Sequence, residues 1–215
     1  MPRRHSGIVA SLAVSVWASV CAAAVFDFEN VPVGTRYGQQ FGSTPGQVVL
    51  TQDGISMSVE SFFFTSQNFV GFARGEVGGN VDPLFPTRPL ELDNMNVRFD
   101  FTQVGFDVTQ VSLEYIELGG LDNFSVNGLP IIETSPLSDL PSNIAGGGVS
   151  LLNELLDPST GRSRITLFGD IDSVLVGGQE FGVDTIIAIP EPATIALLGV
   201  CGLAMVLHRR RRARA

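Results

Sequence analysis

The chain has no lysine, and its long central segment lacks three further residue types. Of its 215 residues, the two cysteines, two histidines and single tryptophan all lie near the ends: Cys21, Cys201, His5, His208 and Trp17. The segment 25–189 therefore offers no imidazole, thiol or amine. This excludes Ser-His-Asp and Cys-His catalysis, His/Cys zinc or copper sites, a lysine Schiff base, a P-loop and disulfides within that segment.

Positive charge is also scarce in the centre of the chain. The segment 25–189 holds 21 acidic residues and six arginines, a net charge of −15, whereas seven of the 13 arginines lie in the terminal segments. Such a surface repels nucleic-acid phosphates and anionic lipids, so we expect no nucleic-acid partner. It attracts divalent cations, although solubility outside the cell explains the same charge.

The first 24 residues have the three regions of a secretory signal peptide. Arg3 and Arg4 give a basic start, Ile8–Val20 is largely apolar, and Ala22 and Ala24 supply a small-residue cleavage site. The pattern predicts removal of residues 1–24 by signal peptidase, so that the mature chain begins at Val25.

Two other export signals fit this segment less well. A lipoprotein signal at Cys21 is disfavoured because bulky Val20 precedes it, and a twin-arginine signal is disfavoured because His5-Ser6 does not extend that pattern. Ordinary export is the preferred interpretation.

The last 26 residues combine a short motif, an apolar run and a basic tail. Ala193–Leu207 is uncharged but several residues short of the approximately 20 that usually span a bilayer. Before it stands a stiff, extended tripeptide, because two prolines resist helix and strand: Pro190, Glu191 and Pro192. After it comes a basic cluster that the positive-inside rule keeps cytoplasmic: Arg209, Arg210, Arg211 and Arg212. A single transmembrane helix over 193–207 that simply anchors the chain is one interpretation.

This tripartite tail, residues 190–215, resembles the PEP-CTERM sorting signal. The resemblance implies recognition and cleavage by a membrane-embedded exosortase, in a Gram-negative bacterium that makes an extracellular polysaccharide. It also implies a transient single-pass membrane form, followed by release or attachment at the cell envelope, cell surface or matrix.

The segment 25–189 is predicted to be one exported, all-β domain. Apolar and polar residues alternate with period two in five segments: Ile55–Glu60, Val97–Phe101, Val104–Val108, Val111–Tyr115 and Arg164–Leu167. Further short strands are expected at Val25–Glu29, Val48–Thr51, Phe124–Val126, Leu129–Glu133, Ile171–Val176 and Val183–Ile189. Turns are expected at Asp53-Gly54, Gly119-Gly120, Asn127-Gly128 and Gly177-Gly178. One helix is predicted at Ser150–Leu156. Many short strands without helical crossovers favour an antiparallel β-sandwich of jelly-roll type.

The first and last strands carry a fainter resemblance to PEP-CTERM proteins and related extracellular sandwiches. It rests on Phe26–Thr35 and Phe181–Ile186. The resemblance implies that these strands pair, and that a structural Ca²⁺ can bind near them. Asp27, Glu29 and Asp184 would then supply hard oxygen ligands, with backbone carbonyls completing the site. Solvent-facing acids at strand ends are the alternative interpretation.

Two ligand-directed activities remain possible within this composition. Aromatic faces stack on sugars, and Phe62–Phe64, Phe69 and Phe72 cluster around Gln67 and Asn68. Paired carboxylates can hydrolyse glycosides. Four carboxylates are candidates, but nothing in their spacing marks a catalytic pair: Glu60, Glu114, Glu117 and Asp122.

We therefore expect an exosortase substrate that acts as a non-catalytic structural or adhesive protein. An exopolysaccharide-binding module is the alternative, and a carboxylate-based glycoside hydrolase is a weaker one.

Overall fold

A computed structural model describes residues 22–65, 68–78, 82–144 and 148–191. Residues Ala22–Glu191 form one compact unit. The strands are β1 (Ala24–Phe26), β2 (Arg36–Tyr37), β3 (Gln47–Gln52), β4 (Ile55–Phe64), β5 (Phe69–Gly71), β6 (Arg74–Val77), β7 (Leu90–Asp93), β8 (Met95–Asp100), β9 (Val108–Val126), β10 (Ile132–Thr134), β11 (Asn143–Ile144), β12 (Val149–Asp157), β13 (Arg162–Phe168) and β14 (Ser173–Pro190). Short 3₁₀ helices occur at Gln39–Phe41, Asp82–Leu84 and Leu137–Asp139.

Every strand pairing in this unit is antiparallel, as expected. The two long strands β9 and β14 pair with each other from Val174↔Val126 to Pro190↔Val108. The main path through the sheet runs β11-β12-β13-β9-β14-β7-β6-β2. The fold is therefore all-β and antiparallel, and no α-helix occurs in the described ranges.

The far edge of β14 is shared by three strands in succession. β8 pairs with Ser173–Gly178, β7 with Phe181–Val183, and β1 with Ile186–Ala188. β8 also pairs with β4, and β4 pairs with β3. These three strands form a second branch of the sheet beside the main path. The pairing of β1 with β14 confirms that the first and last strands lie side by side.

The two branches contribute to one hydrophobic core. Alternating residues of β4 and β8, such as Met57 and Phe99, are fully buried together with Ile165 of β13 and Phe26 of β1. The Phe26 and Phe99 rings meet edge to face, with centroids 5.3 Å apart. Each such buried side chain contributes about 1.5–3 kcal/mol of transfer free energy to folding.

Two of the predicted turns are confirmed. In the first turn, φ is 50° at Asp53 and 82° at Gly54; in the second, φ is 52° at Asn127 and 70° at Gly128. These positive values belong to type I′ turns, whose twist matches the flanking strands. The Leu129 amide donates to the Val126 carbonyl at 2.9 Å and closes the second turn.

The predicted helix over Ser150–Leu156 is wrong, because this segment is part of β12. Its leucines fit a helical face, but in the structure Leu151 is buried opposite Leu167 while Leu155 is 60% exposed. Pairing with β13 satisfies the backbone, and Asn153 turns inward to accept a hydrogen bond from the Tyr115 hydroxyl at 2.9 Å. Tertiary pairing thus overrides the local pattern.

Three other local predictions are also wrong. Gly119-Gly120 and Gly177-Gly178 lie inside β9 and β14 rather than in turns. A Cβ at Gly177 would lie 2.4 Å from the Met95 carbonyl oxygen, so the glycine permits close approach of β8. The segment 104–107 is a loop, and regular pairing starts only at Val108.

Candidate functional site

The two predicted processing positions lie on adjacent strands of the compact unit. Ala24 in β1 pairs with Ala188 in β14, two residues before Pro190. Ala22 and Glu191 are exposed, whereas Ala24 is 5% exposed. The chain therefore enters and leaves the folded unit at the same end.

The predicted sorting motif begins inside the sheet. Pro190 is the last residue of β14 and lies opposite Val108, after a register shift that follows Ile189. The expectation that Pro190 resists strand structure is therefore wrong. A proline has no amide hydrogen to donate, but the last residue of a strand tolerates this loss. Glu191 follows as an exposed residue, so the middle residue of the motif is accessible directly after β14.

The other predicted tail features lie outside the described residues, namely Pro192, the apolar run 193–207 and Arg209–Arg212. The same holds for most of the predicted signal peptide. In the ranges that are described, no helix is long and apolar enough to cross a membrane.

The three predicted Ca²⁺ ligands have separate partners. The Asp27 carboxylate accepts hydrogen bonds from Gln52 Nε2 at 3.3 Å and from the Glu29 amide at 3.2 Å. Glu29 Oε1 accepts the Arg88 amide at 2.7 Å. Among the residues with described positions, no group of three acidic, histidine or cysteine residues is suitably placed for a metal. The Ca²⁺ site stays a prediction that these contacts do not favour.

Asp184 is fully buried at a β-bulge of β14. Its carboxylate accepts hydrogen bonds from the Thr87 hydroxyl and, at 2.7 Å, from the Thr185 amide. Burial raises its pKa to about 6, while the bonds from Thr87 and Thr185 lower it and the Glu114 charge raises it. The covering segment that carries Thr87 also packs Phe85 against Ile116 of β9. Asp184 is thus a structural acid beneath a loop.

The aromatic cluster divides between core and surface. Phe62 is fully buried, whereas Phe63 and Phe69 are 40% and 43% exposed. Phe69 and Phe72 line a cleft of about 290 Å³ next to β5. Gln67 lies outside the described residues.

The described polar side chains that line this cleft are uncharged amides. Gln39 and Gln40 come from the first 3₁₀ helix, and Asn94 comes from the turn between β7 and β8. An exposed aromatic ring beside several amides can stack on a sugar ring and bind its hydroxyl groups. These amides were not predicted, because they lie far from the phenylalanines in sequence and form no motif.

Both tyrosines of the body are unavailable as sugar platforms. Tyr37 is 8% exposed, and Tyr115 is 2% exposed and stacks on Phe181 with ring centroids 5.8 Å apart. Burial raises the pKa of both hydroxyls, to about 12 for Tyr115.

Two of the four carboxylates considered for hydrolysis are held in ion pairs. Glu60 pairs with Arg98 at 3.5 Å, and Glu114 pairs with Arg162 and Arg164 at 3.0 and 2.6 Å. Their charges are therefore neutralised within the sheet.

The other two carboxylates, Glu117 and Asp122, lie together on β9. Asp122 is 2% exposed, and its burial raises its pKa, as do the hydrogen bond and charge of Glu117. Glu117 also accepts the Leu137 amide. Asp122 is thus buried, and the half-buried Glu117 is held by the backbone of the 3₁₀ segment that begins at Leu137.

The comparisons with known proteins identify the tail. Residues 188–212 match the model of the PEP-CTERM protein-sorting motif, so the match begins within the last three residues of β14. No curated protein matches the chain. The predicted resemblance is confirmed, and the motif marks an exosortase-sorted protein exported to the cell envelope or surface.

Proposed function

We propose that the folded body is a non-catalytic structural or adhesive component of the cell surface or extracellular matrix, delivered by exosortase processing. The host would be a Gram-negative bacterium with an exopolysaccharide, and the unprocessed chain would be a transient single-pass membrane form. The observation that carries the proposal is the position of the sorting motif, which starts at the last residue of β14. Cleavage beyond Pro190 would leave every described strand after β1 on one fragment, together with β1 itself.

Architecture and chemistry support a non-catalytic role. One core contains residues of both branches of the sheet, such as Ile165 of β13 and Met57 of β4, in keeping with a β-sandwich. The segment 25–189 has no histidine, cysteine or lysine. Of the four candidate carboxylates, Glu60 and Glu114 are in ion pairs, Asp122 is buried, and Glu117 accepts a backbone amide.

The test is intact mass and cell fractionation of the protein in its native host, with and without the exosortase. Replacing Pro190, Glu191 and Pro192 with alanine is expected to keep the full tail in the membrane fraction. Glu154→Ala with Pro158→Ala is the matched control, because both residues are exposed and outside the motif. Normal processing of the motif variant, or of wild type without the exosortase, would contradict the proposal.

We propose exopolysaccharide binding as a second candidate function, on the strength of the cleft beside β5. Phe69 offers an exposed ring, and Gln39, Gln40 and Asn94 offer amide donors and acceptors. None of the described residues that line this cleft is charged, so the ligand would be a neutral glycan segment.

The test is cosedimentation of the protein with exopolysaccharide purified from the host. Phe69→Ala and Gln40→Ala are expected to weaken retention about tenfold, the loss of about 1.4 kcal/mol. Phe168→Ala is the matched control, since Phe168 is 39% exposed but lies on β13. Equal retention of all variants, or equal loss in the control, would argue against this site.

A further inference from the structure

Arg88 ties the loop after β1 to the start of β7. Its guanidinium Nη1 donates to the carbonyl oxygens of Glu29 and Val31, both at 2.6 Å, and to that of Phe28 at 3.5 Å. Its backbone amide donates to Glu29 Oε1 at 2.7 Å. One residue thus bonds three converging carbonyls and the neighbouring carboxylate.

Converging carbonyl oxygens beside a carboxylate are the ligand set that Ca²⁺ uses in proteins. A guanidinium is a permanent cation whose several N–H groups satisfy the same oxygens. In this loop the carbonyls that would complete a calcium site are bonded to a side-chain cation.

The remaining predicted ligands do not converge on this point. Asp27 bonds Gln52, and Asp184 bonds Thr87 and Thr185 beneath the covering segment. Among the described acidic residues there is no group that could share a metal. The residues therefore do not fit the Ca²⁺ that the first-strand and last-strand resemblance implies.

We propose that Arg88 is the resident cation of the loop 28–31, and that it holds the chain entering from β1 in place of calcium. The arginine belongs to the chain, so its charge and donors are present whatever the ionic composition outside the cell. Docking of β1 on β14 is then independent of calcium.

The test is thermal unfolding of the full-length chain in detergent, followed by circular dichroism in millimolar calcium chloride and in EDTA. The wild-type Tm is expected to be the same in both. Arg88→Met is expected to lower Tm by at least about 5 °C in both, because several charge-assisted hydrogen bonds are lost. Arg36→Met is the matched control. Arg36 is paired with Glu76 at the surface, with its side chain 48% exposed, so a shift of at most about 2 °C is expected.

Two results would overturn the proposal. One is a saturable rise of the wild-type Tm with calcium, a measurement that depends on no variant. The other is an Arg88→Met protein that unfolds at the same temperature as Arg36→Met. If Arg88→Met does not fold, Arg88→Lys is measured instead, because lysine keeps the positive charge but has fewer hydrogen-bond donors. The proposal would also be overturned if the Tm of Arg88→Lys equalled that of wild type in calcium chloride but was lower than that of wild type in EDTA.

Discussion

The Asp122 carboxyl group interacts with that of Glu117, five residues earlier on the same strand, across the Gly119-Gly120 irregularity of β9. Asp122 is almost completely buried, and its Oδ1 atom has no hydrogen-bond partner among the described residues. Burial first, and then the bond and charge of Glu117, raise the pKa of Asp122 well above its usual value. The folded protein therefore keeps a proton that the unfolded chain releases.

This pair makes stability fall as pH rises. The unfolded Asp122 loses its proton near pH 4, while the folded one retains it to much higher pH. The favourable contribution is therefore complete below about pH 4 and is lost as pH rises toward the folded pKa, by at most about 1.4 kcal/mol per pH unit. Asp122→Asn, which mimics the protonated form, is expected to flatten this dependence in urea unfolding between pH 5 and 8. Exposed Asp170→Asn is the control. Parallel curves for wild type and Asp122→Asn would contradict the expectation.

The close approach of β8 and β14 should make Gly177→Ala costly. The added Cβ would meet the Met95 carbonyl oxygen, and backbone atoms would have to separate. We expect a loss of about 3 kcal/mol in the free energy of unfolding. Gly34→Ala, at a positive φ with open space around it, is expected to lose only about 1 kcal/mol. Denaturant unfolding of both variants measures which one loses more stability. Equal losses of unfolding free energy would show that β8 can move away from β14.

Two neighbouring phenylalanines of β4 should differ in how much they contribute to the free energy of unfolding. Phe62→Ala empties a fully buried position and is expected to cost about 3–5 kcal/mol. Phe63→Ala changes a ring that is 40% exposed, so we expect a cost below about 1 kcal/mol. Denaturant midpoints of the two variants measure this difference, and the reverse order would mean that the strand faces are wrongly assigned.

The burial of Ala24 predicts the order of the first processing step. Signal peptidase needs an accessible extended segment, but Ala24 is 5% exposed and paired with Ala188 once β1 has docked. The folded full-length chain is therefore expected to resist purified signal peptidase, and the same chain diluted from urea is expected to be cleaved before Val25. Intact mass spectrometry reads both outcomes. Equal cleavage rates would show that β1 opens readily.

Local signals predicted two of the four turns and four of the five alternating strands correctly. Asp53-Gly54 and Asn127-Gly128 require positive φ that few residues adopt, and Ile55–Glu60 alternates because one face of β4 is buried. The helix at Ser150–Leu156 failed because four leucines in seven residues fit both a helical face and a strand, and β13 decides between them.

Long-range arrangement was harder to predict. Gly177-Gly178 has the composition of a turn, and only the approach of β8 explains why it continues a strand. Within the candidate cleft, the exposed Phe69 could be suspected from its cluster. Gln39 and Asn94 lie far from Phe69 in the sequence, and only the fold brings them to the same cleft.

The position of β14 links the completion of the fold to sorting. β14 is the last strand made, yet β1, β7, β8 and β9 all pair with it. A nascent chain that has emerged only as far as β13 lacks the common partner of these four strands, and contacts so distant in sequence form slowly. The match to the sorting motif begins in the same strand, so the residues that close the sheet and the first residues of the motif are adjacent in the chain. A chain truncated before β14 would therefore lack both the strand that completes the sheet and the sorting motif that follows it.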